Sequence, residues 1–205
     1  MFFDIRKIKH LKNTIDTNII STLYTKAISA IKEKATVGKV INGKYTTEYD
    51  KWCTANFVVY TDFVEQVNQV KSQVKDNIEQ NYNVQCLDDE IHFLHYQNDS
   101  YYKSHIDGQF IENGVAKRGI DRDITAVLYL NDDYNGGEIF FDFFNISIKP
   151  KTGDILAYPT SFEYKHGVNK VVGERYAIVF WFKTNPELNV TTEIKDIQIL
   201  NFLKD

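Results

Sequence analysis

Apolar residues recur at helical spacing in the first third of the chain. One stripe is formed by Ile15, Ile19, Leu23, Ala27 and Ile31. Side chains four residues apart lie on the same face of an α-helix, so this spacing predicts an amphipathic helix over about 16–34.

A second stripe predicts a second helix. It is formed by Phe63, Val67, Val70, Val74 and Ile78. Asp62 and Glu65 stand three residues apart at its start, which is the spacing of a capping box.

The pattern changes after about residue 84, where short apolar runs between turn signals predict strands. The runs cover 91–96, 101–106, 123–131, 137–142, 145–149, 154–158, 162–166 and 175–183. The Asn135-Gly136-Gly137 stretch is a hairpin signal, and residues 151–154 are a second turn signal. About eight short strands in antiparallel order predict an α+β fold, a double-stranded β-helix (jelly roll) braced by N-terminal helices.

The last predicted strand, 175–183, is apolar on both faces. Its odd face carries Arg175, Ala177, Val179 and Trp181, and its even face carries Tyr176, Ile178, Phe180 and Phe182. A strand of this kind is covered on both sides. We expect the odd face to line the barrel interior and the even face to pack under the helices.

Composition narrows the class of protein. The 205 residues carry a net charge of −4, which gives no basic surface for nucleic acid. No apolar run approaches the roughly 20 residues that span a bilayer, and no signal peptide is evident at the N-terminus. Cys53 and Cys86 do not make a disulfide framework. These features predict a cytoplasmic protein of one domain that binds neither nucleic acid nor membrane.

Three residues together indicate a metal site. His105 and Asp107 are two residues apart, so in a strand they point to the same face. His166, from a distant strand, would complete two histidines and one carboxylate, a ligand set that suits non-heme Fe(II) and leaves positions open for O2. Taken alone, His105 and Asp107 would indicate a surface loop pair.

Arg175 and Tyr129 indicate an anion site. A guanidinium among apolar neighbours is costly unless an anion meets it, and its planar fork matches a carboxylate. The alternative is a salt bridge to an acidic residue elsewhere in the chain. Tyr129 shares the odd face of strand 123–131 with Asp123, and the even face is the helix-packing side, so we expect Tyr129 to point into the barrel; the alternative is a core tyrosine bonded to backbone.

The remaining histidines are rival ligands. His92 and His95 are three residues apart and so face opposite sides of a strand, which favours structural roles for both. We expect His10 to be a surface residue.

Several ordered motifs resemble one family. They are YQNDSYYKSHID (96–107), RDITAVLYLNDDYNGGEIFF (122–141), GDILAYP (153–159) and HGVNKVVGERYAIVFWF (166–182). Over about 91–183 the chain resembles the 2-oxoglutarate/Fe(II)-dependent dioxygenases, and within them the prolyl 4-hydroxylase-like branch.

The resemblance implies roles for nine residues. His105, Asp107 and His166 would be the catalytic iron ligands. Arg175 would bind the distal carboxylate of 2-oxoglutarate with help from Tyr129, and Tyr96 would contact the end that chelates iron. Tyr102, Arg122 and Trp181 would lie near the substrate, although Arg122 has the wrong strand parity to face the pocket unless a bulge or bend precedes the strand.

The resemblance also implies an activity. Fe(II), the co-substrate 2-oxoglutarate, O2 and ascorbate as a reductant would serve hydroxylation of a peptidyl proline, with formation of succinate and CO2. Alternatives are hydroxylation of a free amino acid or other small molecule, and a non-catalytic jelly-roll binding protein. The single domain 1–205 would comprise a mainly helical support region (1–84), the jelly-roll catalytic core (85–185) and a C-terminal extension (186–205). Segment 108–121 would be either a mobile lip over a peptide or protein substrate or an ordinary surface loop.

Overall fold

The computed structural model describes residues 3–41, 44–48 and 52–203. The α-helices are α1 (Thr17–Ser29), α2 (Val64–Tyr82) and α3 (Ile197–Phe202). The strands are β1 (Lys9–Leu11), β2 (Lys32–Lys34), β3 (Val37–Ile41), β4 (Lys44–Glu48), β5 (Asn56–Val58), β6 (Gln85–Tyr96), β7 (Tyr102–His105), β8 (Gln109–Glu112), β9 (Val115–Arg118), β10 (Ile124–Tyr129), β11 (Asn135–Gly136), β12 (Ile139–Phe141), β13 (Ile146–Ile148), β14 (Ile155–Pro159), β15 (His166–Val168), β16 (Val171–Val172), β17 (Arg175–Asn185) and β18 (Thr192–Glu193).

Two sheets form the barrel and confirm the predicted jelly roll. The larger sheet has seven strands in the order β1-β14-β10-β17-β6-β5-β2. The smaller has four strands in the order β13-β12-β15-β7. Within both sheets the strands pair antiparallel, as the short strands and turn signals predicted.

The two N-terminal helices cover the outer face of the larger sheet, as predicted. The apolar stripe of α2 is fully buried at Val67, Val70, Val74 and Ile78. These side chains share one core cluster with the even face of β17. The N-terminal region also supplies strands β1, β2 and β5 to the larger sheet, which extends its role beyond helical support.

The inner face of the larger sheet meets the smaller sheet in a second core cluster. This cluster contains the odd face of β17 at Ala177, Val179 and Trp181, with Val127 and Tyr129 from β10. The prediction that β17 separates two cores is therefore confirmed.

The end of α1 and the start of α2 differ from the prediction. α1 ends at Ser29, and Ile31, which continues the stripe, is exposed and precedes a strand. The capping box is wrong: a 3-10 turn at Thr61–Phe63 leads into α2, and no side chain caps its first turn. The turn buries Phe63 in the helix–sheet core, and this packing, rather than a cap, sets the helix start.

Three strand predictions are wrong in detail. Residues 162–164 form a 3-10 turn rather than a strand, because Phe162 and Tyr164 enter different core clusters. The Asn135–Gly136 pair is strand β11, which joins β16 rather than forming a hairpin with its neighbours. β6 begins at Gln85, six residues before the predicted start, because β17 pairs with it along its whole length.

The segment after the metal motif is a β-hairpin rather than a loop. β8 pairs with β9, and β18 from the C-terminal extension adds a third strand. Ala116 in this hairpin is buried against Phe162 and Ile194. The C-terminal extension thus braces residues 109–118.

Asp123 does not face the barrel interior as its parity predicted, because β10 begins after it. It is fully buried and accepts hydrogen bonds from Arg118 at 2.9 Å and from the backbone N–H groups of Thr184, Leu188 and Asn189. This carboxylate ties the C-terminal extension to the barrel.

Cys53 and Cys86 are both free, buried thiols. Among the described residues, no helix is long and apolar enough to cross a membrane.

We expect Ile78→Ala to destabilise the protein. Ile78 is fully buried under the sheet, so the lost contacts and the cavity should lower the free energy of unfolding by about 2–5 kcal/mol. Urea denaturation measures this. The matched control is Ile197→Ala, since Ile197 is 64% exposed and its loss should change the value by less than about 0.5 kcal/mol. Equal small losses would contradict the placement of α2 on the core.

Candidate metal and anion site

The three predicted metal-binding residues lie together at the smaller sheet. His105 ends β7 and pairs in register with His166, which begins β15. Asp107 follows just past the end of β7, so it reaches the cluster from the turn rather than from the strand itself. One candidate ligand atom from each residue lies within 4.8 Å of the other two.

The two imidazoles are oriented by backbone carbonyls. Nδ1 of His105 lies 2.8 Å from the Lys103 carbonyl, and Nδ1 of His166 lies 2.9 Å from the Tyr164 carbonyl. Each Nδ1–H therefore donates to backbone, and each Nε2 presents its lone pair to the centre. Burial lowers the pKa of His166 to about 4, so this imidazole is neutral at pH 7, which is the form that binds metals.

Asp107 supplies the carboxylate. Its Oδ1 lies 3.2 Å from Nε2 of His105, and its Oδ2 lies 3.8 Å from Nε2 of His166. Burial opposes its ionisation, but the two histidines and the hydroxyl of Thr125, which donates to Oδ2 at 2.5 Å, hold its pKa well below the usual range. The donor set of two imidazoles and one carboxylate fits Fe(II).

Arg175 is buried without a carboxylate partner among the described residues. It is 2% exposed, and its Nε and Nη1 have no hydrogen-bond partner. Its guanidinium carbon lies 4.6 Å from the centre of the Tyr96 ring and 4.9 Å from that of Tyr129. Burial alone would lower the pKa of Arg175, but the tyrosines around it raise it, so the group stays charged. The alternative of an internal salt bridge is not observed in the described part of the chain.

Two phenols next to Arg175 are also unsatisfied. The hydroxyls of Tyr129 and Tyr134 are buried and have no hydrogen-bond partner. Tyr129 points inward as predicted, and its backbone alternative is not observed. Two free guanidinium nitrogens and two hydroxyls fit a carboxylate, which accepts several hydrogen bonds at once.

One cavity connects the metal cluster and the anion site. It has a volume of about 550 Å³, and its lining includes His105, Asp107, His166, Arg175 and Tyr96. The smaller sheet supplies the two histidines, and the larger sheet supplies Arg175 at the start of β17 and Tyr96 at the end of β6. The space between the sheets can therefore hold a small molecule that meets a metal with one end and Arg175 with the other.

The three residues expected near a substrate line the same cavity. Tyr102 stacks on His105 with the ring centres 3.9 Å apart. Arg122 lies over the Trp181 ring at 3.9 Å. The parity conflict for Arg122 disappears because β10 begins at Ile124, so Arg122 lies in the bend before the strand.

The rival histidines divide as their spacing predicted, with one correction. His95 is buried on the helix side and stacks on Tyr176, whereas His92 faces the cavity. His92 contacts Trp181 and lies 3.2 Å from Glu90, so it belongs to the cavity wall and is not only a structural residue. Neither histidine is part of the metal cluster.

The expectation for His10 is wrong. It is half-buried, and its Nε2 lies 2.7 Å from Asp154. Strand β1 places it there by pairing with β14. The short β1 segment carries too few residues for periodicity to predict it.

Four residues at the site have no role in the sequence prediction. Glu90, Thr125 and Tyr158 line the cavity, and Tyr134 has a buried, unpaired hydroxyl beside Arg175. Glu90 accepts from Arg122 at 2.6 Å, and the hydroxyl of Tyr158 lies 2.9 Å from Nε2 of His166. Thr125 shares the inward strand face of Tyr129, so inward parity was the available signal for Thr125; Glu90 lies in the part of β6 that the prediction omitted.

Residues 91–183 match the model of the 2OG-Fe(II) oxygenase superfamily. Prolyl 3-hydroxylase 2 of Mus musculus is 35% identical over 88 residues, which is 40% of this chain and 12% of that protein. Prolyl 3-hydroxylase 3 of Homo sapiens is 38% identical over 72 residues, which is 32% of this chain and 10% of that protein. The matched region is thus a small part of these relatives.

Solved structures share the fold. A prolyl hydroxylase of Trichoplax adhaerens, in complex with a hypoxia inducible factor oxygen degradation domain peptide fragment, superposes with a TM-score of 0.69 at 16% identity, covering 89% of this chain and 86% of that one. A prolyl-4-hydroxylase of Pseudomonas putida gives a TM-score of 0.61 at 18% identity, covering 86% and 92%. The family match covers the strands that carry the cluster, so residues 91–183 are similar to the 2OG-Fe(II) oxygenase superfamily, and the relatives matched there are prolyl hydroxylases.

Proposed function

We propose that this protein is a 2-oxoglutarate- and O2-dependent dioxygenase that hydroxylates a prolyl residue of a peptide. The superfamily implies Fe(II) and 2-oxoglutarate. When bound, the metal and 2-oxoglutarate supply the chemistry that uses O2, converts 2-oxoglutarate to succinate and CO2, and hydroxylates a substrate C–H bond.

One observation carries the proposal. A group of two histidines and a carboxylate shares a cavity with an unpaired, buried arginine. A metal ion would bind the first group, and a free carboxylate would neutralise the second. 2-Oxoglutarate has a metal-chelating oxo-acid at one end and a carboxylate at the other, so it satisfies both requirements at once.

The surrounding residues have separable tasks in this proposal. His105, Asp107 and His166 hold the metal. Arg175 and Tyr129, joined by Tyr134, bind the distal carboxylate. Tyr96 contacts the chelating end of 2-oxoglutarate. Its backbone pairs with that of Arg175 in the β6–β17 register. Because these groups are fixed by packing and backbone hydrogen bonds, little reorganisation is needed on binding.

The aromatic lining of the cavity supports a prolyl substrate. It offers flat aromatic surfaces at Trp52, Tyr102 and Trp181, which suit an apolar pyrrolidine ring. Arg122 beside Trp181 offers N–H groups to a peptide carbonyl. The relatives named prolyl 3-hydroxylase and the prolyl-4-hydroxylase structure support proline as the residue that is hydroxylated. Because their names differ in the ring position, analysis of the product must identify the carbon that is hydroxylated.

A second candidate is hydroxylation of a free amino acid. Glu90 and Arg122 form an ion pair at the rim, with Nη2 to Oε2 at 2.6 Å. A carboxylate and a guanidinium side by side match the ammonium and carboxylate groups of a zwitterion. This ion pair favours a free amino acid as the substrate.

We also propose ascorbate as the reductant that keeps iron ferrous, and the cytoplasm as the compartment. The two free thiols support a reducing environment.

We expect anaerobic addition of Fe(II) and 2-oxoglutarate to produce the weak visible charge-transfer band of the chelate. His105→Ala and His166→Ala should each remove the band, because each deletes one of three ligands. Absorption spectroscopy measures it, with His95→Ala as the control that keeps it. In air, the wild type should release succinate even without substrate. If a folded wild type gives neither band nor succinate, a non-catalytic binding module becomes the better assignment.

We expect Arg175→Met to weaken the binding of 2-oxoglutarate without destabilising the protein. Losing a buried charge-assisted pair costs about 2–5 kcal/mol, so the Kd for 2-oxoglutarate should rise at least ~30-fold. The unfolding free energy of the ligand-free protein should stay equal or increase, since an unpaired buried charge is removed. Arg118→Met is the matched control: Arg118 is paired with Asp123, so its loss should destabilise the protein. Destabilisation by both changes would assign Arg175 a structural role.

We expect proline-containing peptides, and not free proline, to stimulate succinate release above the basal rate. Mass spectrometry would then find a gain of one oxygen on the peptide, and amino-acid analysis would distinguish 3- from 4-hydroxyproline. Stimulation by free proline that is lost in Glu90→Gln would favour the small-molecule candidate instead, because the zwitterion would lose its carboxylate partner.

A further inference from the structure

Tyr158 is a buried phenol at the metal end of the cavity. It lies on β14 and is 1% exposed. Its hydroxyl lies 2.9 Å from Nε2 of His166. Because Nδ1 of His166 donates to the Tyr164 carbonyl, Nε2 is the acceptor, and the Tyr158 hydroxyl is the donor.

A bound metal would remove this partner. The lone pair of Nε2 can serve either the hydroxyl or a metal ion, and not both. The ring of Tyr158 is held edge-on to Phe141 with the centres 4.9 Å apart, so the side chain has little room to leave. A buried hydroxyl without an acceptor is costly, so it needs another oxygen close to its present position.

The protein offers few acceptors there. Oδ2 of Asp107 already accepts from Thr125, and both Asp107 oxygens lie close to the ligand histidines. Tyr158 stands opposite Thr125 in the β10–β14 register, and the inward residues farther along β10 are Val127 and then Tyr129, beside Arg175. The hydroxyl is therefore at the metal end of the path that leads to the anion site.

We infer that the Tyr158 hydroxyl donates a hydrogen bond to the metal-chelating end of 2-oxoglutarate. This makes Tyr158 a co-substrate-binding residue in addition to Tyr96. The inference rests on the proposed function, since it needs 2-oxoglutarate to bind between the metal and Arg175.

Tyr158→Phe tests the inference, because it removes the hydroxyl and keeps the ring. A hydrogen bond to the chelating oxygens lowers the energy of the acceptor orbital in the charge-transfer transition. Its loss should move the visible band of the anaerobic Fe(II)–2-oxoglutarate complex to shorter wavelength and raise the Kd for 2-oxoglutarate about tenfold. Tyr134→Phe is the matched control: its hydroxyl lies at the Arg175 end, so it should weaken binding without moving the band.

The outcomes separate this inference from the proposed function. No band in folded wild-type protein overturns the proposed function, and this inference with it. A wild-type band that keeps its position in Tyr158→Phe overturns the role of Tyr158 alone. Thermal unfolding checks that the variant folds; should it fail, Tyr158→Leu, which also lacks the hydroxyl, should give the same shift, and an unmoved band there overturns the inference equally.

Discussion

The positive charge of Arg175 is the constraint on which the site depends. A guanidinium that is 2% exposed and has no carboxylate partner among the described residues costs several kcal/mol of folding free energy, on the order of the penalty for an unpaired buried ion. The faces of Tyr96 and Tyr129 recover part of that cost through cation–π contact. The rest of the cost is recovered when a ligand carboxylate binds. Arg175 is already desolvated in the free protein, so forming the ion pair does not require that penalty again.

β17 makes this arrangement possible. Its even face is held by the helix-covered core and its odd face by the barrel core, so the strand is fixed from both sides. Arg175 begins this strand, and its backbone pairs with Tyr96 on β6, which places the tyrosine ring against the guanidinium. The helical N-terminal region thus contributes to the anion site without touching it, because it stabilises the sheet that carries it.

Period-two alternation was enough to predict which residues face the barrel, and hence Arg175, Tyr129 and Trp181. It failed where residues precede the strand: Asp123 and Arg122 lie before β10, which begins at Ile124. It also could not find contacts that depend on register between distant strands. Tyr158 meets His166 through the packing of β14 against β15, and Tyr134 approaches Arg175 from a connection after β10. The pattern of residues along a single strand predicts neither contact.

The division of the site between two sheets explains why its two halves can be chemically different. The metal cluster lies on the smaller sheet, where β7 and β15 bring two imidazoles together and backbone carbonyls fix their tautomers. The anion site lies on the larger sheet, surrounded by phenols. The spacing between packed sheets, about 10 Å, separates the metal-binding imidazoles and carboxylate from a fixed cation. A ligand that spans the gap must carry a metal-chelating group at one end and a carboxylate at the other, so the packing distance itself selects for a short dicarboxylate.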